Sequence, residues 1–361
     1  MGLFFLRRLG IMILTALCLT YIVFFLTNLY PNLEKLAKTQ GNFRMSDEAV
    51  ASWLTDRGYL QSTPKKYAEW IGVVPSFRHV DEDGKVIGRC IKPGMQPADA
   101  PQYCGILQGD WGWSSVSKAP VGEVLKPRLQ NTGYLMLWVM IVMIPCALII
   151  GVLAGMREGS VTDRSLSSVS ILSTATPEYV SGVIFIALLA SSKSPINQWL
   201  VAHEWIEGKA LFKGSAAKAM ENPTFENFFL PVLTIALYGM GYIARMTRAS
   251  MAEVMTAQYI RTARLKGVSF GNVVIKHALR NALIAPFTVI MLQIPWLLNG
   301  VVIVETLFQY KGLGWELVRA AGNNDIEMLL GISVVSVFVV LTTQLISDIG
   351  YVYLNPRISV T

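Results

Sequence analysis

Leu9 to Leu29 is a charge-free run preceded by Arg7 and Arg8. At about twenty residues it is long enough for a helix to cross a bilayer core. Five more runs of roughly 18 to 25 residues follow, near Gly133 to Ala154, Leu166 to Ala190, Phe228 to Arg245, Ala282 to Val304 and Met328 to Ile349. Inside hydrocarbon no water satisfies a backbone N–H or C=O, so each run is expected to be an α-helix. Composition agrees, since 53% of the 361 residues are hydrophobic and only 15% are charged. A cleaved signal peptide is the alternative for the first run. No small-x-small cleavage pattern follows before Pro31, so a retained first span is expected.

Six helices place both termini on one side. With that side cytoplasmic, the short inner segments carry Arg7, Arg8, Arg157, Arg164, Arg245, Arg248 and Arg357, against only Glu158, Asp163 and Glu253. The expected fold is therefore an all-α polytopic membrane protein of six transmembrane helices, with cytoplasmic N- and C-termini. The net charge of +7 is a topology signal and calls for no nucleic acid.

Residues 31–130 are polar, Pro-rich and aromatic, and fall on the outer face. A stretch of this length makes a small module with little core, to which Trp53, Trp70, Trp111 and Trp113 could contribute. Cys18 and Cys146 lie inside expected spans as small apolar side chains. Cys90 and Cys104 share the outer loop, where an oxidising compartment and a thin core favour a disulfide between them. Two unpaired thiols are the alternative. A metal site lacks further ligands at useful spacing, so none is expected.

Between the fourth and fifth runs stands Tyr259 to Pro286, YIRTARLKGVSFGNVVIKHALRNALIAP. It carries Arg261, Arg264, Lys266, Lys276, His277 and Arg280, and no carboxylate. The positive-inside rule alone predicts a basic loop here. It does not predict two helical patterns broken at Gly267, with Ser269 offering an N-cap oxygen for the second.

Polar residues within the spans are the remaining candidates. Pro177 and Glu178 fall near the middle of the third run, where a carboxylate by default faces protein or a water-filled path. An acid satisfied by a neighbouring helix, or a shifted span frame, is the alternative. In the fifth run Gln293 and Asn299 lie six residues apart, about 120° around a helix, so both cannot face one line. Gly239 and Gly241 suit close helix packing. HEWIEGKALF and GSAAKAMEN, outside the third span, are patterned like short surface helices, and DEDGK marks a turn between short strands.

Catalytic sets are missing. The sequence has no phosphate-binding G-x-x-x-x-G-K-[ST], no zinc-protease motif and no G-x-S-x-G elbow. His79, His203 and His277 are far apart. With Glu178 nearly alone among the spans, a proton-coupled carrier is poorly supported, and energy for transport is expected from a partner.

Counting from Gly267, Arg261, Thr262 and Ala263 occupy the E-A-A positions of a motif that runs E-A-A, three residues, Gly, nine residues, I-x-L-P. His277, Ala278, Leu279 and Arg280 occupy the last four. YIRTARLKG followed by HALRNAL resembles the dipeptide/oligopeptide/nickel branch of the inner-membrane permease subunits of bacterial ABC importers. The opening FFLRRLGIMIL, GDWGWS with RLQNT after it, FFLPVLTIAL, VETLFQYKGLG and the closing NPRI follow in the family's order. The chain departs at Asn355, where the family usually has an acid, at Glu178, usually apolar or aromatic, and at GDWG in place of GDLG. Pro75 to Cys104 reads as an insertion, pinned by its cysteines and possible contact for a binding protein.

The resemblance implies a membrane-anchoring segment at 1–30, a periplasmic disulfide-containing module at 31–130 and a transmembrane core at 131–361 with a cytoplasmic coupling hairpin at 247–281. It implies a non-enzymatic subunit that forms half of a translocation path, first for peptides, with oligosaccharides, nickel complexes or other small solutes as alternatives. The implied partners are a second homologous permease, two ATPase subunits, a periplasmic substrate-binding protein and membrane lipid. No cofactor is bound directly; ATP and Mg act through the ATPases. Docking falls to Tyr259, Arg261, Thr262, Ala263, Arg264, Lys266, Gly267, His277, Leu279 and Arg280, and the path to Glu178, Gln293 and Asn299. A stand-alone secondary transporter and a membrane-anchored enzyme or receptor are the competing classes, and neither accounts for the hairpin.

Overall fold

A computed structural model of the protein describes residues 2–80, 84, 86–91 and 95–354. It is mostly helical, with two small antiparallel strand pairs. Among the described residues five helical segments are long and apolar enough to cross a membrane, or six where a bent pair, Phe270–Ala282 with Ile284–Leu297, is taken as one span.

The chain divides into two compact units, Met1–Arg128 with Glu316–Leu341, and Leu129–Trp315 with Thr342–Thr361. In the first, α1 (Gly2–Thr27) is followed by α2 (Tyr30–Gln40), α3 (Asp47–Asp56) and α4 (Thr63–Ile71). Ser46 caps α3 by accepting a bond from the Ala49 N–H at 3.3 Å. Leu33, Leu36, Val50, Leu54 and Trp70 bury themselves against Phe24, Ile326 and Leu330. Trp70 thus supplies core as expected, Trp53 stacks on Tyr59, and Trp113 is exposed.

The expected strands around DEDGK form: β1 (Arg78–Val80) pairs antiparallel with β2 (Val86–Gly88). Asp81, Glu82, Asp83 and Lys85 lie outside the described residues, as does the closing segment with Asn355 and Arg357. Cys90 and Cys104 are joined by a disulfide. A second pair, β3 (Trp113–Ser114) and β4 (Ala119–Pro120), leads into α5 (Val121–Gly155).

The second unit holds most of α5, then α6 (Val161–Ala175), α7 (Glu178–Phe185), α8 (Pro195–Ala202), α9 (Phe225–Met255) and α10 (Gln258–Leu265). Next come α11 (Phe270–Asn272) and α12 (Leu279–Ala282), the ends of one helical stretch whose middle, Val273–Ala278, is wound as a π-helix. α13 (Ile284–Leu307) follows after a bend of 51°. α14 (Leu313–Gly322) and α15 (Ile326–Leu354) complete the chain, the division between units falling inside both.

Close helix contact occurs where small residues were expected to allow it. A Cβ on Gly241 would collide with the Ser173 hydroxyl and the Ser170 carbonyl, and one on Gly239 with the Met143 sulfur. One end of this packing is locked by charge. Arg248 donates to Asp163 twice, Nε to Oδ1 at 2.5 Å and Nη2 to Oδ2 at 2.8 Å, and Gly159 N–H and Ser167 Oγ also donate to this carboxylate.

Two expectations fail. The third run is not one helix through 166–190. Proline disfavours the helical region for the residue before it, and Thr176 is extended (φ −90°, ψ 119°), so the run breaks into α6 and α7. Glu178 therefore opens α7, and the apolar candidate span is Glu178–Ala202. The stretch 203–222 forms turns, not surface helices. Its backbone is committed elsewhere: Phe212 N–H bonds to Leu189 O, Lys213 N–H to Glu226 O and Ala216 N–H to Phe308 O.

Removing the disulfide with a Cys90→Ser/Cys104→Ser pair should cost about 3 kcal/mol of local stability, given the 14-residue separation. Limited proteolysis should then cut within 75–104 while the helical spans stay intact. Asp163→Ala should destabilise the second unit by about 2–3 kcal/mol, read as a lowered melting temperature, because Arg248 loses charge-assisted bonds but stays partly hydrated. Arg248 holds the Asp163 carboxyl well below the usual carboxylate range. Its folded pKa is depressed, so the stabilisation is complete above the unfolded value of about 4 and is lost as pH falls from there through the folded value.

Candidate functional site

The segment α10 to α12 forms a helical hairpin whose buried base and exposed crest have different chemistry. Ile260, Ala263, Val273, Val274, Ala278 and Ala282 pack with Met251 of α9 into a separate apolar cluster. The turn between the arms is a Schellman motif: Val268 N–H bonds to Ala263 O at 3.2 Å and Gly267 N–H to Arg264 O at 3.0 Å. It needs Gly267 at φ +76°, a left-handed value that L side chains rarely adopt. Ser269 stands at the N-cap of the second arm as expected, but its hydroxyl makes no capping bond; its carbonyl accepts from Val273 N–H at 2.9 Å.

Side chains tie the arms together and to the spans. Asn281 Nδ2 donates to Tyr259 Oη at 2.9 Å, and Ser250 Oγ donates to the Ala282 carbonyl at 2.8 Å. The Phe270 ring lies beneath two guanidinium groups, Arg157 at 5.5 Å and Arg264 at 5.9 Å.

Most of the expected docking residues are exposed on the hairpin. Tyr259, Arg261, Thr262, Arg264, Lys266, Gly267, His277 and Arg280 are exposed, whereas Ala263 is buried in the base and Leu279 is half-buried. The sequence reading missed two apolar side chains there. Leu265 is 81% exposed and Ile275 66% exposed, whereas Ile260 and Ala263 of the first arm and Val273, Val274 and Ala278 of the second are buried.

The residues expected along a path are placed differently. Glu178 and Gln293 are each 8% exposed and sit within the chain's own packing. The side chain of Asn299 lies outside the described residues. Near Glu178, Gly182 packs closely on Leu307 and Thr234. A further carboxylate, within VETLFQYKGLG, is fully buried: Glu305 accepts from Thr132 Oγ1 at 2.6 Å and from Trp315 N–H at 3.0 Å.

The model of the family described as binding-protein-dependent transport system inner membrane component matches residues 147–360. The chain is 28% identical to the dipeptide transport system permease protein DppB of Escherichia coli K12 over 365 residues, 98% of each chain. It is 30% identical to the di/tripeptide transport system permease protein DppB of Pseudomonas aeruginosa over 368 residues, again 98% of each. With the oligopeptide transport system permease protein AppB of Bacillus subtilis it shares 34% identity over 278 residues, 74% of this chain and 83% of that one. With the family match covering more than half of its length, the chain belongs to the binding-protein-dependent transport system inner membrane components, as a multi-pass permease subunit of an ABC importer.

Proposed function

We propose that this permease subunit forms half of the translocation path of an ATP-driven importer of peptides. The peptide assignment is supported by the relatives, which are named for dipeptide, di/tripeptide and oligopeptide transport. Oligosaccharides or nickel complexes would use the same machinery. The topology that fits has six spans, both termini in the cytoplasm and the Cys90–Cys104 module in the periplasm. A soluble binding protein would deliver solute there, and residues 75–104 offer it a contact.

The observation that carries the reading is the hairpin crest. The hairpin exposes Leu265 and Ile275 together with Arg261, Arg264, Lys266, Lys276 and Arg280, on a base that is packed and bonded to α9. On this reading the crest seats in a cleft of an ATPase subunit. Leu265 and Ile275 supply apolar contact, and Arg261, Arg264 and Lys266 supply orientation and encounter rate. Two ATPase subunits and a second, homologous permease complete the assembly. ATP and Mg bind in the ATPases and none of the chemistry is performed by this chain. Closure of the ATPases then moves the hairpin, and the long helices α9 and α13 convert this to alternating access. Glu178 and Gln293 remain the path candidates, reached when their neighbours move apart, with Asn299 as a third.

Reconstitution with the partner subunits tests this. Gly267→Val should abolish ATP-coupled uptake while the spans remain folded, since a left-handed L residue costs about 1–2 kcal/mol and β-branching adds to it. Gly267→Asn, which tolerates that conformation, should retain most uptake. Full uptake by Gly267→Val would falsify the lever. Charge reversal of Arg261, Arg264 and Lys266 to Glu should slow ATPase association most at low salt. For Glu178→Gln, uptake of amine-bearing solutes should fall several-fold; unchanged uptake removes Glu178 from the path.

A further inference from the structure

The first unit contains a cavity of about 320 Å³, within the size range of small-molecule sites. Its charged lining is balanced, with three cationic side chains, Arg57, Lys66 and Arg89, and three carboxylates, Glu69, Asp110 and Glu327. Phe24 of α1 and Leu330 of α15, both within candidate spans, supply part of its apolar surface. None of the residues proposed for ATPase docking or for the path belongs to it.

Lys66 and Glu69 are three residues apart on α4, a spacing that puts them side by side and ordinarily makes an ion pair. They do not pair. Lys66 Nζ donates instead to Asn28 Oδ1 at 3.2 Å and to the Tyr59 carbonyl at 2.8 Å. Glu69 Oε2 accepts from Phe77 N–H at 3.2 Å, and among the described residues Oε1 has no partner although Glu69 is only 6% exposed. A buried carboxylate oxygen without a donor is costly, so the arrangement favours an added donor. The Arg57 guanidinium lies over the Trp53 ring at 4.0 Å. Arg89 makes a bidentate pair with Glu327 at 3.0 and 3.1 Å through its two terminal nitrogens, and its buried Nε has no partner among the described residues. The cavity therefore offers one unpartnered acceptor, Glu69 Oε1, beside two cations, Lys66 and Arg57, for which no ion pair forms among the described residues. Desolvation there lowers the Lys66 pKa and pushes the Tyr59 hydroxyl up to about 12, as expected for a poorly hydrated site.

We propose that this cavity binds a small zwitterion, its ammonium on Glu69 Oε1 and its oxyanion held by Lys66 and Arg57. Free amino acids or short peptides carry that chemistry, and so does the phosphoethanolamine headgroup of a phospholipid, which the span-end surface would admit.

The full-length chain in phosphatidylglycerol nanodiscs is titrated with glycylglycine and with O-phosphoethanolamine in a calorimeter, and its retained lipid is read by native mass spectrometry after exchange into mixed phosphatidylethanolamine and phosphatidylcholine. A free-solute site binds glycylglycine saturably. A lipid site binds phosphoethanolamine and retains phosphatidylethanolamine over phosphatidylcholine, whose quaternary ammonium has no N–H to give Glu69. In either case ethylamine and acetate bind at least about tenfold more weakly than the zwitterion, and Glu69→Gln and Lys66→Met weaken binding about tenfold, or roughly 1.4 kcal/mol. Lys66→Arg keeps it. The proposal is overturned if the wild-type chain binds or retains none of these probes, if ethylamine or acetate binds as well as the zwitterion, or if Glu69→Gln and Lys66→Met bind like wild type with unchanged melting curves.

Discussion

Every backbone polar group that enters hydrocarbon must find a partner within the protein, and the permease is shaped by where that can be done. Along most of α5, α9 and α15 the helix itself suffices. At the Thr176–Pro177 break the solution is local. Thr176 N–H bonds back to Leu172 O, and the Pro177 carbonyl receives Val180 and Ser181 N–H, so the missing proline N–H falls where a helix start has no use for it. At the other end of α7 the chain winds into a π-turn, Ile186–Ala190, and the loop that follows collects its carbonyls. Ser194 Oγ bonds to Leu188 O, and the fully buried Asn197 donates to Ser191 O while accepting from Leu211 N–H. The stretch 203–222 is ordered by this service to α7 and not by helix of its own.

The same rule explains why the buried carboxylates cluster at helix ends. In the second unit, Glu305 at the end of α13 takes Thr132 Oγ1 and Trp315 N–H, while Thr132 Oγ1 also accepts from Leu313 N–H at 2.7 Å. One acid thus satisfies donors at the start of α14 that no helical carbonyl can reach. In the first unit Glu316 gathers Arg128 and Arg319, and Asp325 accepts from Ser114 Oγ at 2.5 Å. Replacing one partner of such a set leaves a buried charge exposed to its own desolvation cost, so these groups act as fixed joints.

How far the sequence discloses this follows from what hydropathy measures. It counts apolar residues, so it found most of the long apolar helices, whereas the hairpin was legible from its cations and from the glycine break at Gly267. It is blind to backbone direction, so the run around Pro177 read as one helix and Glu178 as mid-span, although the restriction that proline places on Thr176 was available. The cysteine pair was readable because compartment and module size both pointed to it. Leu265 and Ile275 were not, since an apolar residue in a helical pattern looks the same whether its face meets core or a partner. Lys66 and Glu69 would read from spacing as an ion pair, and only the competing acceptors at Asn28 and Tyr59 show otherwise.

On the proposed mechanism, the hairpin has to pass displacement to α9 and α13 without deforming. At its α9 end the apolar base and the Ser250 to Ala282 bond resist separation. Asp163 and Arg248 brace the same part of α9 against α6, so a push on the hairpin is shared by two helices. At its other end the axis turns by 51° into α13. A force along the second arm therefore has a large component across α13, and it tilts that helix more than it slides it. Tilting suits a lipid-embedded helix, because sliding would drag its charged end toward hydrocarbon whereas tilting leaves both ends near their interfaces. The bend at Leu283, which looks like an interruption of the fifth span, is what would let a movement parallel to the membrane open one side of a path and close the other.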